Sequence, residues 1–595
     1  MTSASGPAEV ESLISALATA GLVRGGFLGL ALAETVGVGL AMEPLVGSSS
    51  SAAAAFAVPS DDPVAAVRAL EDAFRPRWVW WSNATAASLT SGGLRVATCW
   101  DLSAVHRLLF GGWRADPARV VAALADLPLE SIPAMGQLNL LDSAGDDGSD
   151  FENPVRPDGH LRPEWVSGGW CADVTRLTKW ATTAMAALTA QRQRLTAAPH
   201  PQRYEATARS ESAAELLCAE LEADGLPVDW AVAEDIITAL IGTRTTTDQQ
   251  AQANAAARDG EVLRHVPASN DIDLRNPAHV RSLLNRVGVD VPDTRAWRLE
   301  SYRTAHPVVD ALLTWRKAER VATTYGYAWL DAHVGADGRL RGAWTGTDGA
   351  AGRMTAQAGL HNLPADMRGA VAAEPGFVFV RADLGQIEPR VLAAVSGDPQ
   401  LAAATVADDL YAPVAERLSV ERAVAKVAVL AAMYGQTSGT AGQALRGLEA
   451  AYPVAMRFLE DADLSGRSGH DVRTFGGRVV RMWSTPDDVD DERDRRAMAN
   501  ARGRYARNAV VQGAAAELFK AWAVTVRARA AVYDARIVLC LHDELLVHAP
   551  VGAAEVVAEL LDRCLNEAAW RWAPDSPVRF VADTSVIQCW SDAKP

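Results

Sequence analysis

Residues 1–200 alternate short apolar runs with Ala-rich stretches at helical spacing. Phe27–Leu32, Val36–Met42 and Trp78–Trp81 read as strands and Asp101–Phe110 as a helix, an α/β pattern. The Gly/Asp/Ser/Pro-rich stretch Asp142–Pro157 reads as a loop. From Ser210 the period becomes helical, with Leu216, Leu217 and Leu221 on one face and Gly225 as the stop. The Gln/Ala/Thr-rich segment Thr245–Arg258 reads as a mobile tip, and helical pattern resumes over His306–Tyr325. Gly376–Ala382 is apolar enough for a buried strand. Helices dominate Gln386–Arg457 and Arg493–Tyr533. Two β-runs, Arg536–Leu541 and Leu545–His548, flank His542-Asp543-Glu544 and predict a hairpin.

Composition narrows the class. The chain has 595 residues, 49% hydrophobic and 22% charged, which is ordinary globular material for roughly four domains. Wholly disordered, collagenous and disulfide-scaffold classes are excluded. The six cysteines lie scattered without a CxxC pair, against a thiolate zinc site or a secreted disulfide framework. The N-terminus lacks the basic region of a signal peptide. The most membrane-like stretch, Gly25–Val46, is glycine-rich and broken by Glu34 and Glu43, so it reads as buried strand and turn. A soluble cytoplasmic chain with no membrane partner is expected. The net charge of −16 alone argues against a nucleic-acid partner, but a cleft can be basic within an acidic molecule. Arginines do gather late, at 467, 473, 478, 481, 493, 495, 496, 502, 504 and 507. They suit either a solvated helical face beside the acidic run Asp487–Asp494 or a nucleic-acid surface.

Four constellations carry chemistry. Asp383 ends a buried strand and precedes a helix, a place for a metal-binding carboxylate or for an N-cap. Asp543-Glu544 sits on the hairpin turn, where acidic residues are common for conformational reasons alone. Three such carboxylates brought together would repel unless a divalent cation lay between them. Arg422-x-x-x-Lys426-x-x-x-Leu430-x-x-x-Tyr434-Gly435 places two cations, an apolar residue and an aromatic on one helical face. That row can grip a polyphosphate and pack on a sugar and base, or be a solvated amphipathic face. Arg504-x-x-x-Asn508-x-x-x-Gln512-Gly513 is a second row, of donors suited to minor-groove acceptors or simply to solvent.

Taken together these elements resemble family A DNA polymerases of the bacterial DNA polymerase I, Klenow-like type. RADLGQIEPRVLAAVSGD resembles motif A, ERAVAKVAVLAAMYG motif B and LCLHDELLVHAP motif C, in the family's order. GRMTAQAGLHNLP and TFGGR are similar to two further family segments, and the resemblance is clear over residues 205–595. It implies a right-hand polymerase of α/β multidomain class. The thumb would span 205–345, the palm 346–404 and 509–595, and the fingers 405–508. An N-terminal ribonuclease-H-like, exonuclease-type α/β domain would span 1–204.

The resemblance also implies roles. Asp383 and Asp543, with the backbone carbonyl of Leu384, would hold two Mg²⁺ ions, Mn²⁺ being an alternative. Glu544 would be an accessory carboxylate. Glu388 would be the steric gate against a ribose 2′-hydroxyl. Arg422 and Lys426 would bind the incoming phosphates, Lys426 also serving as an acid for pyrophosphate. Gln386, Tyr411, Leu430 and Tyr434 would complete the deoxynucleoside triphosphate site, with Tyr434 at the template base and Gly435 allowing close approach of DNA. Arg353, Asn508 and Gln512 would contact the primer–template minor groove, and Arg504 and His542 the primer end. Arginines 473–507 would line the DNA-facing side.

The chain departs from the family at Leu384, Gly385, Pro389, Leu430 and Tyr411, none of them a side-chain metal ligand. The N-terminal region lacks the family's exonuclease carboxylates. Its first strand runs Phe27 to Glu34 without D-x-E, Ala84-Thr85 stand where an Asp is needed, and Trp180 and Ala184 stand in place of Y-x-x-x-D. A vestigial exonuclease fold is expected, and the chain begins too late for a 5′-nuclease domain. The expectation is thus a monomeric, template-directed DNA polymerase without proofreading. The rivals are a single-subunit RNA polymerase relative and a catalytically dead DNA-binding protein of the same fold.

Overall fold

Period-two patterning builds the N-terminal sheet. The computed structural model describes residues 7–43, 54–135, 152–266, 272–349, 351–435, 441–485 and 491–593. Strands β1 (Phe27–Ala33), β2 (Gly37–Met42), β3 (Ala54–Pro59), β4 (Arg77–Trp80) and β5 (Thr98–Asp101) form one sheet in the order β3-β2-β1-β4-β5. β1, β2 and β3 run antiparallel, whereas β4 and β5 are parallel to β1. Side chains alternate between two cores. Leu28, Leu30, Trp78 and Trp80 pack on one face, and Ala31, Val79, Trp81 and Trp100 on the other. Each large side chain so buried contributes about 1.5–3 kcal/mol. The helix Val174–Thr196 lies so close on the second face that a Cβ at Gly39 would fall 2.2 Å from the backbone of Leu177. The indole of Trp80 donates to Asp101, and that of Trp100 to Gln191. Of the membrane-like stretch, the described part is β1, β2 and their turn; residues 44–46 lie outside the described residues. Among the described residues no helix is long and apolar enough to cross a membrane.

Contacts divide the chain into two units. One comprises Met1–Ala223, Trp344–Thr355 and Val380–Ser585. The other comprises Asp224–Ala343, Ala356–Phe379 and Val586–Pro595. In the second unit helices Asp248–Leu263, Pro277–Arg286 and Pro307–Arg320 enclose a core of Val262, Leu283, Leu312 and neighbours. The segment Thr245–Arg258 is therefore mostly helix rather than a mobile tip. Thr247 caps it by accepting from the Gln250 amide, alanines favour the helix, and Asp259 accepts from Trp315 and Arg275.

In the first unit the helix Pro201–Asp224 carries buried carboxylates on successive turns. Glu211 pairs with Arg478 and Lys520, Glu215 with Arg107, and Glu220 with Arg527. Burial works against the charge on Glu211, yet Arg478 and Lys520 hold its carboxyl below the ordinary range. This corrects the expectation for two of the late arginines. Arg478 is 2% exposed and Arg502 is 8% exposed, its guanidinium donating to the Gly466 and Arg467 carbonyls. They are internal supports rather than a surface for DNA. The helices Pro201–Asp224 and Glu492–Ala530 run without a break through residues 204 and 508.

The strand Phe377–Leu384 is central in a four-stranded sheet. Arg536–Leu541 and Glu544–Pro550 lie on one side of it and Ala582–Ile587 on the other. The first two are the expected hairpin, with a turn of two residues rather than three because Leu541 pairs with Glu544. His542 turns the chain in the left-handed region, at φ +54°.

Candidate active site

The strand end and the hairpin turn are joined at the backbone. The Leu384 amide donates to the Asp543 carbonyl at 3.0 Å, and the Gly385 amide to the Val581 carbonyl at 2.9 Å. Asp383 and Asp543, far apart in sequence, are thereby neighbours at one end of the sheet. Both are half-buried. Burial first, and the charge of Asp383 second, push the Asp543 carboxyl up to about 6. Burial also raises Asp383, which Arg381 pulls back and Glu544 pushes further up. These are two carboxylates that resist being ionised together.

Arg381 answers part of that charge. Its guanidinium lies 2.7 Å from Asp383 Oδ2 and 2.8 Å from Glu544 Oε2, with Asp583 at 3.8 Å. Sequence reasoning missed this residue, although an arginine two positions before a carboxylate on a strand shares its face. Among the described residues no group of three or more His, Cys, Asp and Glu side chains is arranged to hold a metal ion. The donor set is instead two neighbouring carboxylates, of which Asp543 lines an open cavity. That suits a hard cation such as Mg²⁺, which keeps waters and takes further oxygens from a phosphate ligand.

The cavity measures about 220 Å³ and is lined by Arg353, Gln386, Glu388, Tyr411, Leu430, Tyr434, His542 and Asp543, with Ile387, Pro389 and Phe519 among its apolar walls. Glu388 is clamped there, accepting from Arg353 Nη2 at 2.8 Å and from the Tyr434 hydroxyl at 3.0 Å. Tyr411 is buried, and burial followed by the charge of Glu388 pushes its phenol up to about 12. Gln386 adopts φ +50° between strand and helix; its side chain accepts from the Leu410 amide and donates to Asp409. Pro389 sits in the first turn of Ile387–Ser396, where the missing N–H costs least.

The helix Arg422–Tyr434 buries Ala425, Ala428, Val429, Ala432 and Met433, and turns its other face outward. Arg422 and Lys426 are exposed on adjacent turns, and Leu430 and Tyr434 continue the row into the cavity. Arg422 pairs with Asp409, a partner sequence reasoning missed. Gly435 ends the helix at φ +67°, and a Cβ there would meet Arg504 Cγ at 3.0 Å. On the long helix Arg504 is exposed, and Gln512 hydrogen-bonds the Tyr434 side chain. Asn508 is half-buried, its Oδ1 enclosed without a hydrogen-bond partner. Every side chain singled out from the motifs thus belongs to the first unit, around or beside one cavity.

The N-terminal positions behave differently. Trp180 and Ala184 are core residues at 3% and 0% exposure, and Trp180 packs against Trp81, Trp165 and Trp170. Indoles thus fill the core around Trp180.

Residues 268–592 match the family model for DNA polymerase family A. The chain is 33% identical over 327 residues to DNA polymerase I of Chloroflexus aurantiacus, covering 50% of this chain and 34% of that one. It is 32% identical over 295 residues to the thermostable DNA polymerase I of Thermus aquaticus, covering 45% and 35%. The matched segment thus spans about a third of the length of these relatives. Among solved structures it is similar to the POL domain of Pol1 from M. smegmatis, in complex with DNA primer-template and dNTP. That match has a TM-score of 0.66 at 20% identity and covers 99% of both chains.

Proposed function

The chain belongs to DNA polymerase family A, and from that premise we propose that it is a template-directed DNA polymerase, extending a primer 3′ end with deoxynucleotides. The single observation that carries this reading is the meeting of Asp383 and Asp543 at one end of the sheet, beside a cavity that the Arg422–Tyr434 helix enters. Its partners are primer–template DNA and deoxynucleoside triphosphates, and it acts as a monomer at the nucleoid. The thumb lies within 205–345, the palm in 346–404 and 509–595, the fingers in 405–508 and an exonuclease-like domain in 1–204.

Asp383, Asp543 and the Leu384 carbonyl would hold two Mg²⁺ ions. When bound, these supply a lowered pKa for the primer hydroxyl and neutralise the triphosphate. Arg422 exchanges Asp409 for phosphate oxygens, a cheap exchange because the pair is solvent-exposed. Lys426 adds a second charge one turn on and protonates the departing pyrophosphate. Glu388, held by Arg353 and Tyr434, fills the space that a 2′-hydroxyl would need. Leu430 and Tyr411 form the wall beside the sugar, with Gln386 behind them. Tyr434 and Gly435 meet the template base. Arg353, Asn508 and Gln512 follow the minor groove, and Arg504 and His542 the primer end. Glu544, already paired with Arg381, tunes the acidic pair.

The test is primer extension with Mg²⁺, comparing dNTPs with rNTPs and using Asp383→Ala as control. Extension with dNTPs that the control lacks supports the proposal. Preferential use of rNTPs would make the chain an RNA polymerase relative, and DNA binding without extension would make it a binding protein.

The proposal includes an inactive exonuclease-like domain, supported by the tryptophan-filled core around Trp180. A 3′-mismatched primer should then remain untrimmed. Metal-dependent trimming that survives Asp543→Ala would refute this part.

A further inference from the structure

A second cationic cavity, about 160 Å³ in volume, lies in the first unit outside the site described above. It is lined by His106, Trp113, Arg114, Arg119 and Arg481, with Gly111 and Gly112 in its wall. Three arginines around one small cavity stand out in a chain of net charge −16. Chain geometry builds it. The helix Leu102–Phe110 ends at Gly111, whose φ is +69° and whose added Cβ would fall 2.7 Å from the Val479 carbonyl. That approach brings Arg481 to the helix end, its Nε donating to the Phe110 carbonyl.

The cavity contains polar groups that the protein leaves unused. His106 is 3% exposed, and its Nδ1 is buried without a hydrogen-bond partner. The Arg119 Nε is likewise buried without one; Asp116, at 3.9 Å, is too far to accept from it. Burial, then Arg107, Arg119 and Arg481, hold the His106 imidazole down to about 3, so it stays neutral and can donate from one ring nitrogen. Two buried nitrogens without an acceptor, His106 Nδ1 and Arg119 Nε, set among three arginines, fit an anion. At the rim Trp113 is 75% exposed, and the Arg114 guanidinium lies 4.9 Å from its ring centroid. A large indole facing water beside a cationic pocket is the pairing that binds a nucleotide unit, phosphate below and base stacked above.

We propose that this cavity is a second nucleic-acid site, taking one phosphate of single-stranded DNA on Arg119, Arg481 and His106 while the adjacent base stacks on Trp113. The choice of DNA as ligand rests on the polymerase reading; the site itself needs no catalysis. The test is ultraviolet crosslinking of a single-stranded oligonucleotide containing 4-thiothymidine to the full chain, without Mg²⁺ or dNTPs, with the adducts mapped by mass spectrometry. The expected adduct is on Trp113, with yield reduced about tenfold in Arg119→Ala and in Arg481→Ala and partly kept in Arg119→Lys. Excess unlabelled oligonucleotide should compete, and inorganic phosphate at the same concentration should not. Asp383→Ala should crosslink at Trp113 as the unaltered chain does, so loss of polymerisation and loss of this site are told apart. Thermal unfolding of each variant verifies folding. Adducts confined to other peptides, a Trp113 yield indifferent to both arginine changes, or equal competition by phosphate would overturn the proposal.

Discussion

The Leu384 amide donates to the Asp543 carbonyl at 3.0 Å, and this bond fixes the hairpin turn against the end of the neighbouring strand. Its consequence is that Asp543 cannot retreat from Asp383. The Asp543 carboxyl is pushed from an ordinary 3.8 up to about 6, so the folded chain holds its proton more tightly than the unfolded chain does. Stability therefore falls as pH rises through that interval, by roughly 1–3 kcal/mol for about two units. Asp543→Asn should raise the melting temperature in EDTA at pH 7, with little gain at pH 3, and should abolish primer extension. Calorimetry at the two pH values checks it; equal effects at both would contradict the assignment. For the unaltered chain, extension should decline as pH drops below about 6, because Asp543, one of the cation-binding pair, is then protonated.

Arg381 is the counter-charge present when no cation is bound. It joins Asp383 and Glu544 from a nearly buried position, so its loss leaves facing carboxylates uncompensated. Breaking a buried pair of this kind costs about 3–5 kcal/mol. Arg381→Gln should lower the melting temperature in EDTA. Because the guanidinium competes with a divalent cation for the same oxygens, the substitution should also lower the Mg²⁺ concentration for half-maximal extension several-fold. A metal titration of extension rate, together with melting curves in EDTA and in Mg²⁺, separates the two effects.

Glu388 is a shared acceptor for Arg353 and Tyr434, and that clamp gives the steric-gate proposal its rigidity. Glu388→Ala should admit rNTPs, narrowing the dNTP/rNTP ratio of kcat/KM by at least about tenfold, the effect of about 1.4 kcal/mol. Tyr434→Phe keeps the Arg353 bond and should narrow it less. If Glu388→Ala left the ratio unchanged, the gate would lie elsewhere.

Much of the site was legible in the sequence because the motifs state local geometry. The i, i+4 row from Arg422 to Tyr434 needs only helical periodicity, and the hairpin needs only two β-runs around a short turn. What stayed hidden depends on tertiary partners. An arginine in a charge run looks the same whether it faces solvent or, like Arg478, meets Glu211 from a remote helix. Asp409 and Arg381 carry no motif signal, since their roles arise from what the fold brings beside them. The helix Asp248–Leu263 was obscured by a polar composition that stabilises it only once Asp259 meets Trp315 and Arg275.

The Glu211 cluster yields the last expectation. Glu211 is 1% exposed and faces both Arg478 and Lys520, with the Thr347 hydroxyl donating to it as well. Glu211→Ala strands two buried cations and should cost about 3–5 kcal/mol. Lys520→Met should cost less, because Glu211 keeps Arg478 and the methylene volume is retained. The carboxyl of Glu211 is held below its ordinary value, so its stabilisation is present above the unfolded pKa of about 4.5 and is lost as pH falls through the folded value. Urea unfolding at pH 7 and pH 3.5 should therefore show the gap between Glu211→Ala and the unaltered chain closing toward the acid side. A gap that widened with acid would mean that Glu211 is protonated in the fold and that the cations are balanced by another group.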